Sequence, residues 1–277
     1  MPELTASGVA AFRRLVRREA GRAGRDLPWR RTADPWAILV SEFMLQQTGV
    51  ARVEKKYRAF LDRFPDPASL ASAPLDRVLE VWQGLGYNRR AINLRESARR
   101  IVGEHEGRVP EDRTALLALP GVGPSTAGGV LAFAFNRPTV FIETNIRRVF
   151  IQHFFPGSDP VPDRDLLPLI ERTLDRRDPR GWYAALMDYG NRLGSKQGRQ
   201  SDPNRRSAHY TRQSPFAGSD RQLRGEILRH LIGKGTLPSA SLAGVTGAGS
   251  DRIEGILDGL ESEGFIVRDG ERVALSD

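Results

Sequence analysis

The 277-residue chain contains no cysteine. Disulfides, Cys-ligated zinc and any Cys-ligated iron–sulfur cluster are therefore excluded, and the composition suits a reducing compartment. Long apolar runs are missing too. None reaches the roughly 18 residues needed to span a bilayer, and the opening "MPELTASGVAAFRRLVRREAG" reads as an amphipathic helix and not as a signal peptide. The protein is expected to be soluble and cytoplasmic, with no membrane partner. Lysine is scarce, limited to Lys55, Lys56, Lys196 and Lys234. The excess of 42 Lys+Arg over 34 Asp+Glu, a net charge of +8, is therefore carried by arginine. Such a surplus suits a polyanion such as nucleic acid; it also fits an arginine-rich surface with no such partner.

The length allows one large or two modest domains with a substantial core. From residue 8 to about 200, apolar residues recur at spacings of three and four in segments broken by Pro, Gly, Asp or Ser, as in "WAILVSEFMLQQT" and "RRAINLRESARRIVGEH". No useful strand alternation interrupts them, which predicts an all-α unit. Between about 194 and 216 the sequence loses its apolar content and reads as an extended loop or linker. Beyond it come a helix, a half-helix "PSASLAGV", another helix and "FIVRDGERVAL", two short strands about an Asp-Gly turn. That order is the order of a small winged-helix module.

Three stretches carry chemistry. In "LPGVGPSTAGGVLAFAF", residues 119–135, a short helix ends in Pro-Gly-Val-Gly and another starts at Pro124-Ser125-Thr126, giving a helix-hairpin-helix. Gly121 and Gly123 are expected to let the backbone turn tightly around Val122. The amides at the next helix start, including those of Ser125 and Thr126, can hold a phosphate oxygen. A Gly-Val-Gly alone is commonly a plain helix–helix turn. In "WAILVSEFMLQQT", residues 36–48, Glu42 shares a helix face with Ile38 and Leu45, so its carboxyl should stay protonated to higher pH. Taken alone it reads more readily as an interfacial glutamate paired with an arginine. Gln46 and Gln47 follow, two planar amides able to enter a base stack or bond to base edges. In "WQGLGYNRRAINL", residues 82–94, Gly84 and Gly86 present Tyr87 on a tight turn beside Arg89 and Arg90. An aromatic among arginines suits wedging between bases while the cations hold phosphates; a helix cap with a solvated basic face is the plain alternative.

Residues ~27 to 195, with "LPWRR", "SEFMLQQTGVARV", "EVWQGLGY", "LPGVGPSTAGG", "IETNIRRV" and "ALMDYGNRLG", resemble the helix-hairpin-helix (HhH-GPD) DNA glycosylases, and most of all the A/G-specific adenine glycosylase (MutY) branch. The resemblance implies an all-α bilobal core over residues 1–215, with one lobe at 30–120 and the other formed by 1–29 plus 137–215; the winged-helix-like module read from the sequence pattern follows at 216–277. It implies an active-site cleft between the lobes. Glu42 then matches the general acid that protonates the extruded purine, and Gln47 and Tyr87 match positions that fill or wedge the stack around the flipped nucleotide. Ser125 stands where bifunctional relatives carry a Schiff-base lysine, so strand cleavage is not expected. Glu143 stands where the superfamily has an aspartate that stabilises the developing sugar cation and orients water.

Two departures accompany the resemblance. The four cluster cysteines that follow "MDYG" in most relatives are missing, with Gly194 in the place of the first; the basic loop at 195–213 must hold that region without metal. The larger domain that recognises 8-oxoguanine in that branch is replaced by the ~60-residue module. No cofactor is expected; an alkali metal ion at the hairpin is left open. The expected function is monofunctional excision of a mispaired or damaged base, adenine first, from double-stranded DNA by a monomer. A mismatch-specific uracil or thymine glycosylase and a non-catalytic damage-binding protein are the alternatives.

Overall fold

The computed structural model describes residues 4–22, 24–157, 160–196, 202–212 and 215–276. The chain divides into two compact units. One comprises Met1–Leu39, Glu111–Ala118 and Val122–Arg212; the other comprises Val40–Pro110, Leu119–Gly121 and Gln213–Asp277.

The first unit is helical. Helix α1 (Ala6–Gly21) begins at Thr5, whose hydroxyl accepts the Gly8 amide, and buries Phe12, Val16 and Ala20, one residue per turn on a single stripe. Its other helices are α7 (Arg113–Ala118), α8 (Pro124–Phe133), α9 (Thr144–Phe154), α10 (Asp163–Thr173) and α11 (Pro179–Lys196). The core collects Phe12, Val149, Phe150, Trp182, Tyr183 and Leu186. Phe12 meets Phe150, Phe154 and Trp182 edge-on, with ring centroids 5.4, 4.9 and 6.1 Å apart. Complete burial of one such aromatic side chain contributes about 2–3 kcal/mol, so this cluster anchors α1 to α9 and α11.

In the second unit, α3 (Val50–Arg63), α4 (Pro67–Ala71), α5 (Leu75–Trp82) and α6 (Arg89–Glu104) turn Tyr57, Phe60, Val78, Trp82, Leu94 and Ile101 inward. Helix α2 (Pro35–Leu45) runs from the first unit's sequence into this one. The C-terminal residues of the unit form α12 (Asp220–Lys234), β1 (Leu237–Pro238), α13 (Ser239–Thr246), α14 (Ser250–Ser262), β2 (Ile266–Asp269) and β3 (Arg272–Leu275). The sheet is antiparallel in the order β1-β3-β2, the winged-helix arrangement, with β1 as a strand that the sequence pattern did not announce. Asp269 pairs with Arg272, which leaves Gly270-Glu271 as the hairpin loop, and Gly270 takes φ +56. Helix α12 packs on α5, so this module shares a unit with α3–α6.

Residues 197–201, 213 and 214 of the expected basic loop and linker lie outside the described residues. The rest of that stretch differs from an extended linker. Pro203–Arg206 form a 3₁₀ turn against α9, and Val161 exchanges backbone hydrogen bonds with Arg206 and Ala208 at 2.7 and 2.9 Å. Polarity alone suggests a free loop; the Arg148–Asp202 ion pair and the Val161 backbone hydrogen bonds hold it down.

Candidate active site

The predicted residues fall into two groups, one in each unit. In the second unit, Glu42 is the one carboxylate of α2, half-buried on a helix whose Leu39, Val40, Phe43 and Met44 are fully buried. The helix ends in Gln46 and Gln47. Gln46 Nε2 donates to the Gly121 carbonyl at 3.2 Å, which joins the end of α2 to the hairpin turn. Gln47 is exposed and takes φ +54, and Tyr87 takes φ +48 on the turn bounded by Gly84 (φ +90) and Gly86 (φ +72).

Arg90 binds these two loops together. Its Nη1 donates to the carbonyls of Phe43, Met44 and Gln46 at 2.9, 2.7 and 2.6 Å, and its Nη2 donates to Thr48 Oγ1 at 2.9 Å and to the Gly86 carbonyl at 2.8 Å. The guanidinium also lies 5.3 Å from the Trp82 ring centroid and 5.6 Å from that of Tyr87. A cation at the carbonyl end of α2 is favoured by the helix dipole, although burial lowers its pKa to about 10. The expectation that Arg90 grips a phosphate is therefore corrected: its donors are spent on carbonyls inside the protein. Arg89, one position earlier and turned by about 100° on α6, is exposed.

The hairpin turn needs one of its two glycines. Gly121 has φ +76, and a Cβ there would stand 2.7 Å from Asn93 Nδ2 and 3.0 Å from Phe43 Cε1. Gly123, expected to supply a second tight turn, has φ −91 and ψ 178, an extended conformation open to any residue. Nothing lies within 4 Å of a Cβ built on it, so its value is open space beside the start of α8. Pro124 occupies the first helical position and no side chain caps this helix. Val122 and Thr126 are buried and Ser125 half-buried, so a ligand at this end would meet backbone amides more than side chains. Pro120 and Gly121 carbonyls accept from Ser97 Oγ at 2.9 Å and Gln46 Nε2. An alkali cation at the hairpin would have to share these carbonyls, and the chemistry below uses none. Among the described residues no cluster of three or more metal-binding side chains occurs.

In the first unit Glu143 caps α9. Its backbone is extended, its Oε1 accepts the Asn145 and Ile146 amides at 2.8 and 3.0 Å, and its Oε2 accepts from Asn145 Nδ2 at 3.2 Å. Burial raises its pKa, opposed by those two amides and by the charges of Arg148 and Arg147. The arginines themselves are held in bidentate pairs: Arg147 with Asp163 at 2.7 and 2.6 Å, and Arg148 with Asp202 at 2.9 and 2.7 Å. Arg148 also donates to Asn145 Oδ1 at 2.8 Å, so the ion pair reaches the cap of Glu143 through one side chain.

Sequence reasoning missed this second layer, although its signal was present. A Cβ on Gly190 would stand 2.2 Å from the Asn145 carbonyl oxygen, and one on Gly194 would stand 2.6 Å from the Arg148 guanidinium carbon. Two glycines four residues apart on α11 mark the seam where α9 packs closely. Burial pushes Asp202 up, but the Arg148 hydrogen bonds, the Asn204 amide and the nearby arginine charges hold it below the usual carboxylate range. Arg206 adds a hydrogen bond to the Phe155 carbonyl at 2.6 Å. With no cysteine in the chain, the residues here do not fit an iron–sulfur cluster, and the Arg148–Asp202 ion pair and the Arg206 hydrogen bond fix residues 202–206.

Known proteins carry the same elements. Residues 40–165 match the HhH-GPD superfamily base excision DNA repair protein family. The adenine DNA glycosylase of Mycolicibacterium smegmatis is 39% identical over 220 residues, covering 74% of this chain and 75% of that protein. The thymine/uracil-DNA glycosylase of Pyrobaculum aerophilum is 40% identical over 159 residues, covering 56% of this chain and 69% of that protein. The solved structure of a thermostable thymine-DNA glycosylase superposes with a TM-score of 0.65 at 28% identity, covering 70% of this chain and 92% of that one. The chain therefore belongs to the HhH-GPD superfamily of base excision DNA repair proteins, on the branch that includes the adenine DNA glycosylases.

Proposed function

We propose that the chain is a monofunctional DNA glycosylase that hydrolyses the N-glycosidic bond of a mispaired or damaged adenine in double-stranded DNA, acting as a monomer. The observation that carries this reading is the Glu143 carboxylate, fixed at the start of α9 by two backbone amides and Asn145. A carboxylate immobilised in this way can oppose positive charge on a sugar without first reorganising. At ~4 Å and an effective dielectric near 20, the attraction is about 4 kcal/mol, roughly a thousandfold in rate.

The tasks then divide among the residues. Glu42 supplies the proton that the departing base carries away, so the base leaves neutral. Glu143, ionised, balances the oxocarbenium-like sugar and orients the water that adds to the anomeric carbon. Gln46, Gln47 and Tyr87 occupy the gap in the stack left by the flipped nucleotide. The amides of Gly121, Val122, Gly123, Ser125 and Thr126, together with Arg89, hold the phosphate backbone. Ser125 presents a hydroxyl, which cannot form a Schiff base, so the product is an abasic site with an intact strand.

A second reading is favoured by the similarity to the thymine/uracil-DNA glycosylase: excision of a mismatched pyrimidine on the same scaffold. A panel of duplexes with A opposite G, A opposite 8-oxoguanine, hypoxanthine, uracil, or T opposite G, followed by alkali, separates the two. Cleavage of the A-containing duplexes after alkali treatment is the expected result, with no adduct trapped by borohydride. Excision confined to uracil or thymine would move the assignment to the second reading, and no excision from any duplex would remove both.

A further inference from the structure

Tyr87 is contacted by the winged-helix residues of its own unit. Arg221, at the start of α12, donates from Nη1 to Tyr87 Oη at 3.1 Å. Two residues after Tyr87, Arg89 Nη1 donates to the carbonyl of Glu263, just past the end of α14. Glu263 is in turn paired with Arg224 of α12 at 2.7 Å, and α12 packs on α5, whose last residue is Trp82. The turn carrying the tyrosine is thus held from below by Arg90 and from the outside by α12 and α14.

The same module is poorly built to read a groove. Helix α14, which in this topology stands second of the pair that would face DNA, carries Asp251, Glu254, Asp258 and Glu261 against one arginine, Arg252. Arg268 of β2, a cation that could have met a phosphate, is engaged with Glu254, Asp258 and Glu261 at 3.1, 2.8 and 3.4 Å. A helix face with four carboxylates is repelled by a phosphate backbone.

We propose that the winged-helix module serves the reaction through Tyr87 and not by reading DNA, and that Arg221 is a positioning residue that fixes the tyrosine ring for insertion into the duplex. The proposal rests on the glycosylase reading above. A tyrosine ring has two soft torsions; Arg90 lies against its face and Arg221 anchors its far end, so both torsions are set before DNA arrives. Without the anchor the ring samples orientations that do not enter the stack.

The test uses the full chain with Arg221→Ala, Arg221→Lys, Tyr87→Phe and the Arg221→Ala/Tyr87→Phe double variant. Two quantities are measured on a duplex carrying A opposite G with 2-aminopurine next to the adenine: the fluorescence rise on binding and the single-turnover excision rate. Loss of this one exposed hydrogen bond should lower both by about three- to tenfold in Arg221→Ala and in Tyr87→Phe. The double variant should be no worse than either single one, and Arg221→Lys should recover part of the loss. Melting midpoints should stay within about 2 °C of the parent, as expected for a surface change. Wild-type fluorescence and rate in Arg221→Ala, or losses that multiply in the double variant, would overturn the proposal while the glycosylase reading stands. A parent chain that neither unstacks nor excises would overturn both.

Discussion

Replacing Glu143 separates the cap that the geometry shows from the chemical role proposed for it. In Glu143→Ala the Asn145 and Ile146 amides lose their acceptor, and loss of a helix cap costs about 1–2 kcal/mol. In a chain of this size that is a fall of about 2–8 °C in melting midpoint. Glu143→Asp should behave differently. Aspartate is itself a favoured cap, so the stability should remain within about 0.5 kcal/mol of the parent. Its carboxylate, however, lies one C–C bond nearer the backbone, about 1.5 Å, and a shift of that size in a reacting group can lower the rate by about a hundredfold. Melting curves and single-turnover excision on one set of proteins measure the two effects separately. Their pH dependence has opposite signs. The proposed reaction needs the ionised carboxylate, and burial raises its pKa above 4.5, so the rate should fall as pH drops through that raised value. Folding favours the protonated form, so its contribution to stability is full below about 4.5 and is lost as pH rises through the raised value. Glu143→Ala losing stability but no rate would refute the catalytic assignment and leave a cap alone; unchanged excision by Glu143→Asp would refute only the expected sensitivity to the extra methylene.

Two further substitutions probe the supports of the site. Arg148→Ala leaves Asp202 without its bidentate partner and should cost about 3 kcal/mol at neutral pH by denaturant melts. Because Asp202 sits below its ordinary 3.8, that stabilisation is present above about pH 4 and is lost as pH falls through the lowered value, so the two melts should converge in acid. Gly121→Ala adds a side chain at φ +76 facing Asn93 and Phe43. It should cost ~2 kcal/mol or more and weaken duplex binding in a filter or anisotropy titration.

Much of this molecule is legible in its sequence where the information is local. Phe12, Val16 and Ala20 predict the buried stripe of α1 by spacing alone, and Gly121 announces a turn that only glycine fits. The Asp-Gly pair marks the wing before any strand pairing is known. The residues that were misread depend on partners far along the chain. Arg89 and Arg90 are indistinguishable as letters; Arg90 is internal because the carbonyls of residues 43–46 converge on it, a fact of tertiary geometry. Residues 202–208 carry too little apolar surface to predict docking, and what holds them is Arg148 on α9 and the backbone of Val161. Glu143 was legible as a carboxylate before a helix, but not as an acceptor for both amides.

Under the proposed function, the two non-glycine residues that flank the end of α2 and the tyrosine turn, Gln47 at φ +54 and Tyr87 at φ +48, have a consequence for how the protein would meet DNA. Each left-handed conformation costs about 1–3 kcal/mol, and that cost is incurred when the chain folds, not when it binds. The amide and the ring thus wait in a rigid presentation, and the entropy normally lost by ordering a loop on association has already been removed. Discrimination then falls on the duplex: a base pair that is hard to open meets a probe that will not yield, and one already loosened by mismatch opens at smaller cost.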